Sequence, residues 1–228
     1  MDDSKELWTK LHEESRYRPK YPSESVVQYV FRNFKRDGKT KILDLGCGAG
    51  RHVVFMADEN IIPYGIDFSD EGIKYTKELL KLRGHSEYVD NVQTGSLTDI
   101  PYEGDTFDGI ICFGVLYYLR FKDIKKAVHE MLRVLKPGGK LFLVVRTIED
   151  YRYDKSNEIQ EEKHTIVIKE DREEVCAHSE NGMIMHFFDE EELAELFSDF
   201  ENIQIDYIKE THNNQQFCDC NYLLTAEK

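Results

Sequence analysis

From Lys41 onward the apolar positions alternate between two periods. Ile42, Leu43 and Leu45 in "KILDL" form a short continuous run, which predicts a buried strand. "RHVVFMADE" after it reads as a helix and "IIPYGID" as a second strand. Ser69-Asp70-Glu71 predicts a helix start, with Ile73, Leu79, Leu80 and Leu82 on an apolar side that runs to about Arg83. "YVDNVQT" predicts a third strand, "DGIICFG" a fourth, and "KDIKKAVHEMLRVL" another helix. Pro137-Gly138-Gly139 then turns into a fifth strand, "KLFLVV". Apolar strands separated by helices predict a parallel sheet covered on both faces.

Upstream, Val26, Val27, Val30, Phe31 and Phe34 lie at helical spacing behind Ser23, a candidate N-cap. Beyond Arg146 the rhythm breaks. Residues 147–183 are polar, with one β-rich run, "TIVIK", and an expected partner near "EEVCAH". "MIMHFF" leads into a helix, "DEEELAELFSDF", capped near Asp189, and "NIQIDYIK" and "NYLLTAE" predict an antiparallel hairpin at the sheet edge. The chain reads as one domain over residues 1–228. It divides into an N-terminal helical cap (1–38), a core (40–146), an insertion (147–183), and a C-terminal helix with edge strands (184–228). An excursion as long as 147–183 is expected to act as a lid or binding loop.

Composition narrows the partners. The 228 residues, 40% of them hydrophobic, suffice for one ordinary core. Acidic residues outnumber basic ones 44 to 30, a formal charge of -14, which argues against a surface built to neutralise phosphates and hence against nucleic acid. The five cysteines are an odd number, and several sit in apolar runs, as reduced thiols of a cytoplasmic protein would. Cys218-Asp219-Cys220 has a single intervening residue and no second pair, so no metal is expected. No apolar run approaches the roughly 18–20 residues that span a bilayer, and Met1–Lys10 lacks a signal-peptide core. A monomer or homodimer without membrane partners is the expectation.

"ILDLGCGAG" carries the chemistry. Gly46, Gly48 and Gly50 allow a tight turn with no side chain in the way of a ligand, and the helix that follows points free N–H groups into the same crevice. Asp67, closing "PYGID" about 20 residues on, is placed to accept hydrogen bonds from ribose hydroxyls. The dinucleotide fingerprint G-x-G-x-x-G fails at its third glycine, where Arg51 stands. The spacing is D-x-G-x-G-x-G, with Asp44 on the strand.

These residues resemble the first motif of class I S-adenosylmethionine-dependent methyltransferases of the small-molecule type. "GIDFS" resembles their second motif, "GSLTDIPYEGDTFDGIICFGVLYYL" the region of their third and fourth strands, and "LRVLKPGGKLFLVV" the fifth. The similarity spans roughly residues 40–146. It implies a Rossmann-like, doubly wound, mostly parallel seven-stranded sheet with an antiparallel edge hairpin and a β-rich insertion. It implies S-adenosylmethionine as cofactor and S-adenosylhomocysteine as product. Gly46, Cys47, Gly48 and Gly50 would pass beneath the methionine part, with Asp44 orienting the loop. Asp67 would hold the ribose, Phe68 would pack on the adenine, Ser96 and Leu97 would meet its edge, and Phe113 would line the sulfonium centre. Many relatives carry Asp where Ser96 stands. The segment "RYRPKYPSE" would fold over the cofactor, with Arg16, Arg18 or Tyr21 at its carboxylate; a solvated arm is the alternative.

The resemblance implies methyl transfer to an O or N atom of a small metabolite, such as a sugar or an amine. The fourth strand ends "CFGV", not the N/D-P-P-Y/F/W tetrad of amino-methylating nucleic-acid enzymes. No catalytic residue is assigned, because a nucleophilic acceptor aligned with a sulfonium needs no dedicated base. Tyr117 and His186 are the candidates on the acceptor side, with core packing as the alternative for Tyr117 and a satisfied structural histidine as that for His186. The competing functions are a non-catalytic S-adenosylmethionine-binding regulatory domain and a nicotinamide-dependent oxidoreductase.

Overall fold

The computed structural model describes residues 2–14, 17–173 and 175–228. In chain order the strands are β1 (Lys41–Leu45), β2 (Ile62–Asp67), β3 (Val92–Thr94), β4 (Phe107–Phe113), β5 (Leu135–Arg146), β6 (Glu158–Ile159), β7 (Glu162–Val167), β8 (Ile184–His186), β9 (Glu201–His212) and β10 (Phe217–Glu227). The helices are α1 (Asp2–Glu13), α2 (Glu24–Asn33), α3 (Arg51–Asp58), α4 (Asp70–Arg83), α5 (Phe121–Val134) and α6 (Glu190–Leu196). The main sheet has seven strands in the order β3-β2-β1-β4-β5-β10-β9. Its first five are parallel, and the hairpin β9–β10 joins β5 antiparallel.

Side chains of the central strands divide between two faces, as a period of two requires. Ile42, Ile111, Phe142 and Val144 pack with Val26, Tyr29 and Val30 of α2 and Met56 of α3. Leu43, Leu45, Ile110, Leu141, Leu143 and Val145 join the larger core with α5. Helix α5 meets that core with Ile124, Ala127, Val128, Met131 and Val134, the stripe that a 3.6-residue repeat produces. Full burial of each such aliphatic side chain stabilises the fold by about 1.5–3 kcal/mol.

Four local expectations are corrected. The third strand is only Val92–Thr94, because Ser86–Asn91 winds into a 3₁₀ turn whose Asn91 amide donates to the Pro63 carbonyl at 3.1 Å. Pro137-Gly138-Gly139 lies within β5 as a bulge: Leu135 pairs with Phe107, and the next ladder partner of β4 is Lys140 opposite Gly109. Thr165–Val167 of "TIVIK" end β7, whose partners are β6 and β8. The expected partner, "EEVCAH", instead runs into a 3₁₀ turn, Cys176–Glu180, whose Glu180 carboxylate is drawn to Arg152 (2.6 Å) and Tyr118 (2.7 Å). Ser23 has the extended backbone of an N-cap, but its hydroxyl pairs with Ser25.

A buried ionic network anchors the insertion. Asp150 binds Arg146 (2.8 Å) and Arg152 (3.1 Å), while Asp219 of β10 binds Arg152 (2.5 Å) and Arg146 (3.2 Å). Backbone bonds run alongside: Thr147 and Tyr151 donate to the carbonyls of Cys220 and Cys218, and Cys220 N–H donates to Asp150. Among the described residues no helix is long and apolar enough to cross a membrane, and no group of three or more His, Cys, Asp or Glu side chains is arranged to hold a metal.

Candidate cofactor and acceptor site

Strand β1 lies between β2 and β4, so the connections leaving those strands diverge at its carboxyl end and open a crevice there. The loop after β1 folds back over β2, with the N–H groups of Gly46 and Cys47 both donating to the Ile66 carbonyl. Gly46 has φ +79°, and a Cβ on it would lie 2.6 Å from both γ-methyls of Val115. Gly50 has φ +80°, and its Cβ would lie 2.5 Å from a methyl of Thr76. Positive φ and overpacking act together at both positions. Gly50→Ala is therefore expected to lower stability by on the order of 2 kcal/mol, read as a reduced midpoint in chemical denaturation.

Two carboxylates organise the crevice. Asp67 is 3% exposed, and its oxygens accept from Gly48 N–H at 2.8 Å and Ser69 N–H at 2.9 Å. Burial raises its pKa to about 6 despite those bonds, and the nearby Asp44 charge adds to the rise. Asp44 is 1% exposed; its Oδ1 lies 3.7 Å from Nδ1 of His52, and its Oδ2 has no hydrogen-bond partner among the described residues. A buried carboxylate oxygen without a donor is costly, so this atom marks where a ligand's N–H would go.

Helix α1 covers the loop from outside. His12 Nδ1 lies 2.9 Å from the Ser69 hydroxyl, and its Nε2 lies 3.5 Å from where a Cβ on Gly48 would be. Burial, then Arg18, pushes the His12 pKa down, so the ring is neutral. Ser69 Oγ also accepts from Gly72 N–H and caps α4. On the other side, the Arg51 guanidinium lies over the Phe113 ring at 5.1 Å and has no ion-pair partner among the described residues; burial pulls its pKa down.

The remaining residues singled out by sequence divide into those brought together and those not. Phe113 sits between Arg51 and His52, with its ring 5.4 Å from the imidazole. Phe68 is half-buried next to Asp67. Cys47 contributes backbone only: its thiol is buried against Gly65, and burial, then Asp67 and Asp44, holds its pKa well above the usual range. The Ser96 hydroxyl is engaged by Thr98, while Leu97 points into the main core. Tyr21 is 81% exposed, and two residues on, the Ser23 N–H donates to His52. Arg18 lies over the Tyr75 ring at 4.8 Å, beside α4, and Arg16 falls outside the described residues.

On the acceptor side, Tyr117 is buried with its hydroxyl 3.4 Å from where a Cβ on Gly114 would be, at the tip of β4. Arg146 lies over its ring at 5.2 Å. Burial raises the Tyr117 pKa, so the phenol keeps its proton at neutral pH and acts as a donor. His186 is fully buried, with Nδ1 2.8 Å from the Thr165 hydroxyl and Nε2 3.1 Å from Glu192, which joins the small sheet to α6. Both of its nitrogens are thus used structurally. His12, Arg51 and His52 were not among the sequence-selected residues; Arg51 and His52 follow the last glycine directly, and that adjacency was the available signal. Two open grooves lie elsewhere, about 590 Å³ between α2 and the β9–β10 hairpin and about 490 Å³ between α5 and α6. Neither contains the glycine turn or the strand-end acids.

Comparison with known proteins agrees with this crevice. Residues 43–143 match the family model described as "Methyltransferase domain". An uncharacterised methyltransferase of Bacillus subtilis is 32% identical over 106 residues, 46% of this chain and 40% of that protein. A ubiquinone/menaquinone biosynthesis C-methyltransferase of Geotalea daltonii is 30% identical over 121 residues, 51% of this chain and 50% of the relative. The chain thus spans half or less of the length of these curated relatives. A solved SAM-dependent methyltransferase from Methanosarcina mazei superposes with a TM-score of 0.70 at 22% identity, covering 88% of this chain and 96% of the other. Residues 43–143 thus match a methyltransferase-domain model, and the fold is the one shared with this solved SAM-dependent methyltransferase.

Proposed function

We propose that the whole chain is an S-adenosylmethionine-dependent methyltransferase that methylates an O or N atom of a small metabolite. The observation that carries the reading is the pair of buried strand-end acids flanking the glycine turn, one of them with an oxygen that no group among the described residues satisfies. The residues fit the cofactor. Asp67 would accept the ribose hydroxyls, Phe68 would lie against the adenine, the 46–50 backbone would pass under the amino-acid part, and Asp44 Oδ2 would take its ammonium group.

When bound, the cofactor supplies an electrophilic methyl group on a sulfonium. The chain's own work is to bind, orient and exclude water. Phe113 and the Arg51 side chain wall the crevice, and Tyr117 offers a hydroxyl hydrogen to an acceptor above the tip of β4. A protonated phenol cannot serve as a general base, so an acceptor that is already nucleophilic suits this site. The 147–183 insertion, anchored beside Arg146, would cover that acceptor.

The name of the Geotalea relative includes carbon methylation, so the acceptor atom is part of the test. The protein would be incubated with methyl-labelled cofactor and separate small-metabolite, RNA and protein fractions. Label in the small-molecule fraction, on O or N by mass spectrometry, is the expected result. Label only in RNA or protein, or on carbon, overturns the acceptor assignment, and no transfer to any fraction overturns the activity.

A further inference from the structure

Asp44 has one oxygen without a partner among the described residues and one facing His52, a residue of α3 that is 4% exposed. The other nitrogen of His52 fixes its tautomer. Nε2 accepts the backbone N–H of Ser23 at 3.2 Å, so it carries no hydrogen. The single ring hydrogen is then on Nδ1, the atom directed at Asp44 Oδ1. The edge of Phe113 packs against the ring and restricts its rotation, and Arg51 beside it is engaged over the same phenyl group. At 3.7 Å the Nδ1–H is beyond hydrogen-bond length and acts on the buried carboxylate as an electrostatic contact whose direction the locked ring sets.

We infer that His52 is a positioning residue: locked in one tautomer by the Ser23 N–H, it turns Asp44 so that Oδ2 faces the α-ammonium group of the cofactor. The inference rests on the cofactor reading above. It also makes the N-terminal segment part of the site, since the group that sets the tautomer is the backbone N–H ahead of α2.

Two near-isosteric variants separate the two nitrogens. In His52→Asn the amide N–H can replace Nδ1–H toward Asp44, while in His52→Gln the amide oxygen can replace Nε2 toward Ser23 and the donor to Asp44 is lost. Ser23→Pro removes the locking N–H at a residue whose φ of -65° already suits proline. Binding would be measured by calorimetry with S-adenosylhomocysteine and with 5′-methylthioadenosine, which lacks the amino-acid end. His52→Gln is expected to weaken S-adenosylhomocysteine about tenfold and leave methylthioadenosine within twofold of wild type. His52→Asn should stay within about threefold for both, and Ser23→Pro should weaken only the homocysteine compound, by about threefold.

Unchanged binding in His52→Gln, equal weakening of both ligands, or an Asn variant as weak as Gln overturns the assignment. If His52→Gln fails to fold, Ser23→Pro still decides: unchanged binding, or equal loss of both ligands, overturns it. Wild-type protein that binds neither compound overturns the cofactor reading itself, a result separate from any of these.

Discussion

Asp67→Asn is expected to weaken S-adenosylhomocysteine binding at least tenfold, measured by calorimetry at pH 7.5. Ribose hydroxyls donate to a carboxylate, and each hydrogen bond to a charged acceptor contributes about 1.5–3 kcal/mol. The amide keeps the shape, loses the charge, and turns a donor toward one of the two groups. Wild-type binding should follow the same logic with pH. Full affinity is expected above the Asp67 pKa of about 6, falling as the carboxyl takes a proton below it. Asparagine binding as tightly as aspartate would place the ribose elsewhere.

The same substitution separates binding from folding. Folding raises this carboxyl from 3.8 to about 6, so the folded chain holds the proton more tightly than the unfolded one. The stability Asp67 contributes is complete below about pH 4 and is lost as pH rises through 6, a change of about 3 kcal/mol. Asparagine lacks that loss. Its stability relative to wild type should therefore improve from pH 4 to pH 7, seen in parallel urea titrations. A variant that binds poorly and gains stability is the signature of a buried acid kept for its ligand.

Asp150→Ala is expected to produce the largest loss of stability. The Asp150 carboxylate is fully buried and serves Arg146, Arg152 and the N–H groups of Arg152 and Cys220. Removing it leaves two buried guanidinium groups sharing Asp219 and Glu180. Breaking a buried ionic network on one side costs about 3–5 kcal/mol, which for a chain of this size lowers the melting temperature by roughly 6–20 °C. A shift under about 2 °C in scanning calorimetry would mean the network is not part of the stable core. Because Arg146 also lies over Tyr117, the substitution should loosen the acceptor side before the cofactor side.

The parallel sheet and the glycine turn were readable because their signals are local. A five-residue strand with three apolar positions, a turn that only glycine can make, and a strand-end acid 21 positions on lie close together in the chain. The third strand was overread because "YVDNV" has strand composition, whereas Asn91 and the neighbouring turn use their hydrogen bonds differently. The backbone bond from Ser23 to His52, which brings the N-terminal segment to the crevice, joins residues 29 apart. The Arg152–Asp219 contact joins residues 67 apart, and no spacing rule anticipates a pair so distant. The buried oxygen of Asp44 could be named as a loop acid from sequence, but its lack of a partner appears only once every neighbour is placed.

The seat of residues 147–152 has a consequence for biosynthesis. Asp150, Thr147 and Tyr151 are held by backbone and side-chain groups of residues 218–220, which emerge from the ribosome about seventy residues later. The parallel core can pair as it is made, but the guanidinium groups of Arg146 and Arg152 must wait for Asp219. A nascent chain stalled before β10 would carry those cations half-neutralised, making it a natural client for chaperones.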